Sequence, residues 1–216
     1  MKITEIFESI HGEVNGHHQG RICTFIRTSG CNLRCYYCDT PGTQNPIGEN
    51  TTFDSILDKI KYYNNQYLCI TGGEPLLNKS QMVDLLSLLH FQKYKISVET
   101  NGTIDITPFY RYVESFVVDY KVGVDNYKPF LKNYINLRNT DVIKFVVGSE
   151  KDIIEIVNNF SFLEHQYKNK TQKPVISFSP IISETFTPKI LFTGLKNNGI
   201  HNVLISVQIH KYIGFN

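Results

Sequence analysis

The sequence predicts an α/β fold, a shortened, incomplete (β/α) barrel. Apolar runs of strand length alternate with stripes at helical spacing, which implies parallel strands joined by crossover helices. Only about six such units fit in 216 residues, whereas a complete eight-unit barrel takes ~250. Chemistry-bearing residues recur just after strand runs, where both barrels and doubly wound sheets place their sites. Pattern alone leaves a flavodoxin-like doubly wound sheet open. No repeat, low-complexity tract or linker interrupts the chain, so residues 1–216 read as a single domain.

Ile3 to Phe7 reads as the first strand and Arg21 to Thr28, rich in β-branched and aromatic residues, as the second. Pro41 to Thr52 is polar and rich in Gly, Pro and Asn, so it reads as a loop or short insertion. Thr52 caps a predicted helix whose Phe53, Ile56, Leu57 and Ile60 form one stripe. Tyr67 to Thr71 reads as a short buried strand, and Ser80 to Leu89 as a helix with Met82, Leu85, Leu86 and Leu89 on one face. Lys95 to Thr100 and Ser115 to Asp119 read as strands, and Tyr127 to Leu137 as a helix with Pro129 in its first turn. Val142 to Val147 is then a strand, Asp152 to Phe160 a helix, and Val175 to Ser179 a strand stopped by Pro180. Pro188 to Asn198 reads as a helix ended by Gly199, and Val203 to Gln208 as the last strand.

Hydrophobic residues make up 41% and charged residues 19%, a globular rather than a disordered composition. A formal charge of +2 gives no bulk electrostatic case for nucleic acid or membrane. No apolar run approaches the ~18–20 residues of a bilayer span. The opening MKITEIFE has an early acid and no apolar run of the secretory kind. Three of the five cysteines lie within eight residues, so a reduced, cytoplasmic chain with a metal or cluster site is expected. Trp and Ala are absent, from which nothing functional follows.

Those three cysteines form the run Cys31-Asn-Leu-Arg-Cys35-Tyr-Tyr-Cys38, directly after the second strand. Three thiolates so spaced can wrap one face of a metal centre, and iron–sulfur clusters normally take four. Zinc also wants four protein ligands, or three and a water. Cys23 and Cys69 fall in strand interiors and read as small buried hydrophobes, not ligands. The second motif is Thr71-Gly72-Gly73-Glu74-Pro75 after the Tyr67 strand, where paired glycines permit close backbone approach by a ligand.

The C-x3-C-x2-C run with an aromatic before its last cysteine resembles the signature of the radical S-adenosylmethionine (SAM) enzymes, and Gly72 to Pro75 resembles their GGEP motif. The resemblance implies a [4Fe–4S] cluster on Cys31, Cys35 and Cys38 whose open iron chelates SAM. SAM is cleaved there to a 5′-deoxyadenosyl radical that takes hydrogen from a substrate. Within that superfamily, Glu5-Ile-Phe-Glu-Ser-Ile-His-Gly-Glu13, Phe25-Ile-Arg-Thr-Ser-Gly-Cys31 and Asp39-Thr40 look like the 7-carboxy-7-deazaguanine synthases. So does the tail Gln208-Ile-His-Lys211. The chain departs at His11, where Gln is usual, and at Val14, where Gly is usual.

That resemblance implies conversion of 6-carboxy-5,6,7,8-tetrahydropterin to 7-carboxy-7-deazaguanine, with hydrogen taken from C6, ring contraction, loss of ammonia and regeneration of SAM. It implies Mg²⁺ on Thr40, with Asp39 orienting that loop. SAM contacts are expected from Tyr37, at the adenine, and from Cys38, Asp39, Gly73 and Glu74. Further SAM contacts are expected from Asp119-Tyr120-Lys121 and Ser177-Phe178-Ser179-Pro180. Glu99, in Glu99 to Gly102, is expected near the SAM ribose or in a structural role. Pterin contacts are expected from Ile10, His11, Gly12, Glu13, Arg27, Thr71, His210 and the carboxylate of Asn216. Physical chemistry supports two of these: a guanidinium forks onto a carboxylate, and an acid suits an amino-pyrimidinone edge. His17 and His18 read as a solvated loop pair. A flavodoxin or ferredoxin donor and a homodimer are implied, with no nucleic acid or membrane partner. A small activating enzyme that installs a glycyl radical on a partner protein is the alternative, and a zinc or redox-sensing module a distant third.

Overall fold

Six parallel strand pairs, each reached by a crossover, build the sheet. The computed structural model describes residues 1–15 and 18–214. Its strands are β1 (Lys2–Ile10), β2 (Ile22–Thr28), β3 (Glu49–Asn50), β4 (Tyr67–Gly72), β5 (Lys95–Thr100), β6 (Ser115–Lys121), β7 (Val142–Val147), β8 (Val175–Pro180) and β9 (Leu204–Ile205). Its helices are α1 (Phe53–Tyr63), α2 (Lys79–Phe91), α3 (Leu131–Ile135), α4 (Glu150–Tyr167), α5 (Pro188–Asn197) and α6 (Ile209–Tyr212). The sheet order is β3-β1-β2-β4-β5-β6-β7-β8-β9, with β1 antiparallel to β2 and to β3. Two-residue strands end the sheet on both sides and do not pair with each other, so the barrel is open, as its length implied.

Period-two alternation divides the sheet into two faces. Ile26, Leu68, Ile70, Ile96, Val98, Phe116, Val118, Ile143 and Phe145 face the helices and belong to the main core, with α1 contributing Ile56 and Ile60 and α2 contributing Met82 to Leu89. Arg27, Thr71, Glu99, Asp119, Lys121, Lys144 and Ser177 alternate with them and line the other face.

Three elements differ from the sequence reading. Tyr127 to Leu137 is helical only over Leu131–Ile135. Phe130 is extended at the N-cap (φ −79°, ψ 93°), so Pro129 lies before the helix, and a residue preceding proline avoids the α region anyway. Asp152 to Phe160 extends to Glu150–Tyr167, because Ser149 caps it and Leu163 and Tyr167 continue the buried stripe. Val203 to Gln208 pairs only at Leu204–Ile205. Beyond Ser206 the chain leaves the sheet, and Gln208 reaches across to Glu13 (2.8 Å).

Candidate active site

The cysteine loop leaves the end of β2. Backbone bonds from Gly30 N–H to Thr43 O and from Cys31 N–H to Gln44 O anchor it, and the Arg34 guanidinium donates to Cys31 O and Leu33 O. Cys31, Cys35 and Cys38 are free thiols, each half-buried. The Cys31 sulfur accepts from Leu33 N–H (3.4 Å) and Asn101 Nδ2 (3.9 Å). Burial pushes the Cys31 and Cys35 thiols above their ordinary range. Among the described residues the one group of three His, Cys, Asp or Glu ligand atoms within 4.8 Å of one another is His11, Cys69 and Glu99. The three loop sulfurs are therefore spread wider than the ~3.8 Å spacing of thiolates around one tetrahedral zinc. Three thiols spread wider than one ion needs, one of them met by N–H donors, fit a cluster.

Gly72 and Gly73 serve this loop. A Cβ on Gly73 would lie 2.2 Å from Gly30 O, and one on Gly72, at φ +139°, 2.3 Å from Thr28 O. Gly73 N–H donates to Thr28 O (3.1 Å) and Glu74 N–H to Gly30 O (2.8 Å). The chain that carries the cysteines thus packs directly on the two glycines. Glu74 is 2% exposed and accepts from Thr100 Oγ1 (2.8 Å), Asn101 N–H (2.7 Å) and Leu76 N–H (3.1 Å). Burial raises its pKa to about 7 against those three donors. Its carboxylate ties the ends of β4 and β5 together at the strand ends beside the cysteine loop.

The concave face holds a compact charge network. Lys144 bridges Glu13 Oε1 and Asp119 Oδ1, at 3.0 Å each, and Lys121 meets Asp119 Oδ2 at 2.7 Å. Burial opposes the charge on Lys144, but Asp119, Glu13 and Glu99 outweigh it and hold the pKa well up. Burial would likewise raise Asp119, yet Lys121 and Lys144 hold it below the usual carboxylate range. Glu99 accepts from Thr71 Oγ1 (3.0 Å) and the Cys69 thiol (3.5 Å), and burial with Glu13 nearby lifts it to about 7. Lys121 also lies over the Tyr37 ring, 5.6 Å from its centre, linking strand end to cysteine loop.

Several polar atoms point into this space without a partner: Glu13 Oε2, the Tyr37 hydroxyl and Ser177 Oγ are buried and make no hydrogen bond. Buried polar groups are otherwise almost always paired. Arg27 gives Nε to Glu5 (2.7 Å) and lies over Phe7, and its two terminal nitrogens make no hydrogen bond among the described residues. Its fork is therefore open for a carboxylate.

The segment after β1 closes the bottom of the barrel. Val14 packs on Val117 and Val142, and Asn15 Nδ2 donates to Ser115 Oγ. His18 is fully buried against Tyr67 and 3.3 Å from Glu114, which corrects the solvated-loop reading; His17 lies outside the described residues. His11 is also fully buried, its Nε2 3.1 Å from Ser97 Oγ, and burial with His18 lowers its pKa to about 4. The tail docks here: Ile209 N–H donates to Gly12 O, and the His210 ring sits so close that a Gly12 Cβ would lie 1.8 Å from Nδ1. Gln208 donates to Glu13 (2.8 Å) and approaches Asp39 (3.4 Å).

The structure thus gathers Tyr37, Cys38, Asp119, Lys121, Ser177, Ser179, His11, Gly12, Glu13, Arg27, Thr71 and His210 around one concave face. Ile10 sits at the end of β1, paired with Ile22, and Thr40 donates to Asp39 Oδ1 (3.4 Å) beside the cysteines. Tyr120 and Phe178 pack on Phe145 in the helix layer, and Pro180 follows the same alternation, so only their main chains border the site. Asn216 lies outside the described residues. Sequence reasoning missed Lys144, whose signal was a lone Lys inside the apolar strand VIKFVV, and the bridging roles of Asn101 and Gln208.

The radical SAM superfamily model matches residues 25–161. A 7-carboxy-7-deazaguanine synthase of Clostridium acetobutylicum is 36% identical over 98% of this chain and 95% of its own length. One of Methanospirillum hungatei is 32% identical over 99% and 86%. The crystal structure of QueE from Escherichia coli shares the fold, with a TM-score of 0.72 at 22% identity, covering 96% of this chain and 93% of that one.

Proposed function

The chain belongs to the radical SAM superfamily and, within it, to the 7-carboxy-7-deazaguanine synthases, and on that premise we infer that its concave pocket converts 6-carboxy-5,6,7,8-tetrahydropterin to 7-carboxy-7-deazaguanine with loss of ammonia. It is a carbon–nitrogen lyase of queuosine-type 7-deazapurine biosynthesis, working as one domain over residues 1–216. A bound [4Fe–4S] cluster together with SAM would supply the radical chemistry of the superfamily. Cys31, Cys35 and Cys38 would hold the cluster, and Tyr37, Lys121 and the Ser177–Pro180 main chain would border SAM.

The observation that carries the reading is Glu13 Oε2, a buried carboxylate oxygen without a partner. Lys144 and Gln208 fix its other oxygen, so Oε2 faces the donor edge of an amino-pyrimidinone ring. Arg27, with both terminal nitrogens open, takes the carboxylate. The two anchors set the pterin's orientation, and Val14 and the docked tail keep water from the barrel floor. Thr40 is the protein ligand we assign to Mg²⁺, a hard cation that prefers oxygen.

The electron comes from a flavodoxin or ferredoxin, which the exposed Tyr36 beside the cluster loop leaves room to approach. The protein works as a cytoplasmic homodimer. An apolar groove of about 310 Å³ beside edge strand β9, lined by Phe192, Leu195 and Ile205, supports a subunit contact. No described helix is long and apolar enough to cross a membrane. The glycyl-radical alternative is not favoured, since full-length relatives are synthases.

Anaerobic turnover tests the reading. With iron, sulfide, SAM, reductant, Mg²⁺ and the pterin, a product of deazapurine absorbance and mass forms, and C35A abolishes it. Cleavage of SAM to 5′-deoxyadenosine without deazapurine would overturn the substrate assignment.

A further inference from the structure

The structure assigns a second metal site, a buried position for one zinc-class divalent cation held by His11 Nε2, Cys69 Sγ and the Glu99 carboxylate beneath the substrate pocket. The three ligand atoms lie within 4.8 Å of one another. Cys69 Sγ to Glu99 Oε1 is 3.5 Å and His11 Nε2 to Glu99 Oε1 is 3.9 Å. Tetrahedral zinc with ordinary bond lengths needs about 3.3–3.6 Å between such atoms, so the Cys69–Glu99 pair already fits, the His11–Glu99 pair closes by about half an ångström, and the His11–Cys69 pair starts from within 4.8 Å.

Charge argues the same way. Glu13, Glu99 and Asp119 share the concave face with Lys121, Lys144 and Arg27, and Arg27 pairs with Glu5. Lys144 serves Glu13 and Asp119, and Lys121 serves Asp119. Glu99 is left with a hydroxyl and a thiol as donors. His11, fully buried, is neutral at physiological pH, the form in which imidazole ligates metals. Binding releases the Cys69 proton, and any proton held by Glu99, to solvent, and M²⁺, thiolate and carboxylate then sum to zero charge. Imidazole with thiolate selects zinc-class ions over Mg²⁺. Ser97 Oγ, 3.1 Å from Nε2, or a water reaching Glu99 completes the shell. Glu99, with 22% of its side chain exposed, is the ligand that opens to the pocket, while Cys69 and His11 are fully enclosed. Cys69 is then a ligand rather than a buried hydrophobe, and His11 gives this chain a donor that Gln cannot supply.

The test uses the full chain after anaerobic reconstitution, with the loop cysteines occupied. It is desalted, given one equivalent of Zn²⁺, and desalted again. Elemental analysis should find one zinc per chain, and zinc-edge absorption one sulfur at ~2.3 Å with nitrogen and oxygen at ~2.0–2.1 Å. H11Q and C69A should each lower retained zinc at least tenfold with iron unchanged. No zinc in the wild type, zinc undiminished from wild type in either variant, or two or more sulfurs around it would overturn the assignment. If both variants lose iron through misfolding, the wild-type sulfur count decides alone. Iron and product without zinc would refute this site and leave the synthase reading standing.

Discussion

Replacing Gly73 with Ala tests whether the second motif exists to seat the cysteine loop. The new Cβ would lie 2.2 Å from Gly30 O and 2.7 Å from Thr43 O, both main-chain atoms, so no side chain can rotate away. Overpacking of this kind costs about 1–3 kcal/mol. The displacement also strains the Gly73–Thr28 and Glu74–Gly30 backbone bonds, each worth about 1 kcal/mol. A loss of about 3–5 kcal/mol lowers Tm by about 6–20 °C in a domain of this size. The cysteine loop should shift with Gly30, and iron retained after reconstitution should fall below half of wild type. Gly42→Ala is the control, since nothing lies within 4 Å of its Cβ and its φ is ordinary. Calorimetry and iron analysis on both variants decide. Normal iron and Tm in G73A, or equal damage in G42A, would refute the reasoning.

Three further outcomes follow from the same geometry. Burial holds Glu74 at about 7, above the 4.5 of a free Glu, so the folded cluster-free chain binds more protons than the unfolded one between those values. Its stability therefore declines as pH rises through that window and is level above it; E74Q should flatten up to about 3 kcal/mol of this slope in urea melts at pH 5 and 8. K144M removes the one cation shared by Glu13 and Asp119 and should cost about 3–5 kcal/mol in chemical denaturation, far more than a surface ion pair. G12A should evict His210 and raise the KM for the pterin about tenfold, ~1.4 kcal/mol, with far-UV circular dichroism unchanged.

Most of the frame was legible because local pattern and burial agree. The stripe of Ile56, Leu57 and Ile60, the Thr52 cap and the apolar runs at β4, β5 and β7 each mark one element alone. The cysteine run and Arg27 were legible because their chemistry is rare and their spacing local. What escaped depends on distant partners. Nothing near Glu74 in sequence announces that Thr100 and Asn101 will satisfy its carboxylate. Glu13 meets Lys144 and Gln208 only after the sheet has formed. Tyr120 and Phe178 were assigned by proximity to a motif, whereas strand alternation turns them to the helix layer. The Tyr127–Leu137 helix failed on proline stereochemistry and the last strand on the pull of the tail, both invisible to periodicity.

The most direct test of the account follows the hydrogen. Turnover with pterin deuterated at C6 should place deuterium in the recovered SAM and yield 7-carboxy-7-deazaguanine. Arg27→Met, which removes the open fork but keeps the stem against Phe7, should suppress both together. Deuterium absent from SAM while deazapurine forms, or undiminished turnover without Arg27, would contradict the site as assigned.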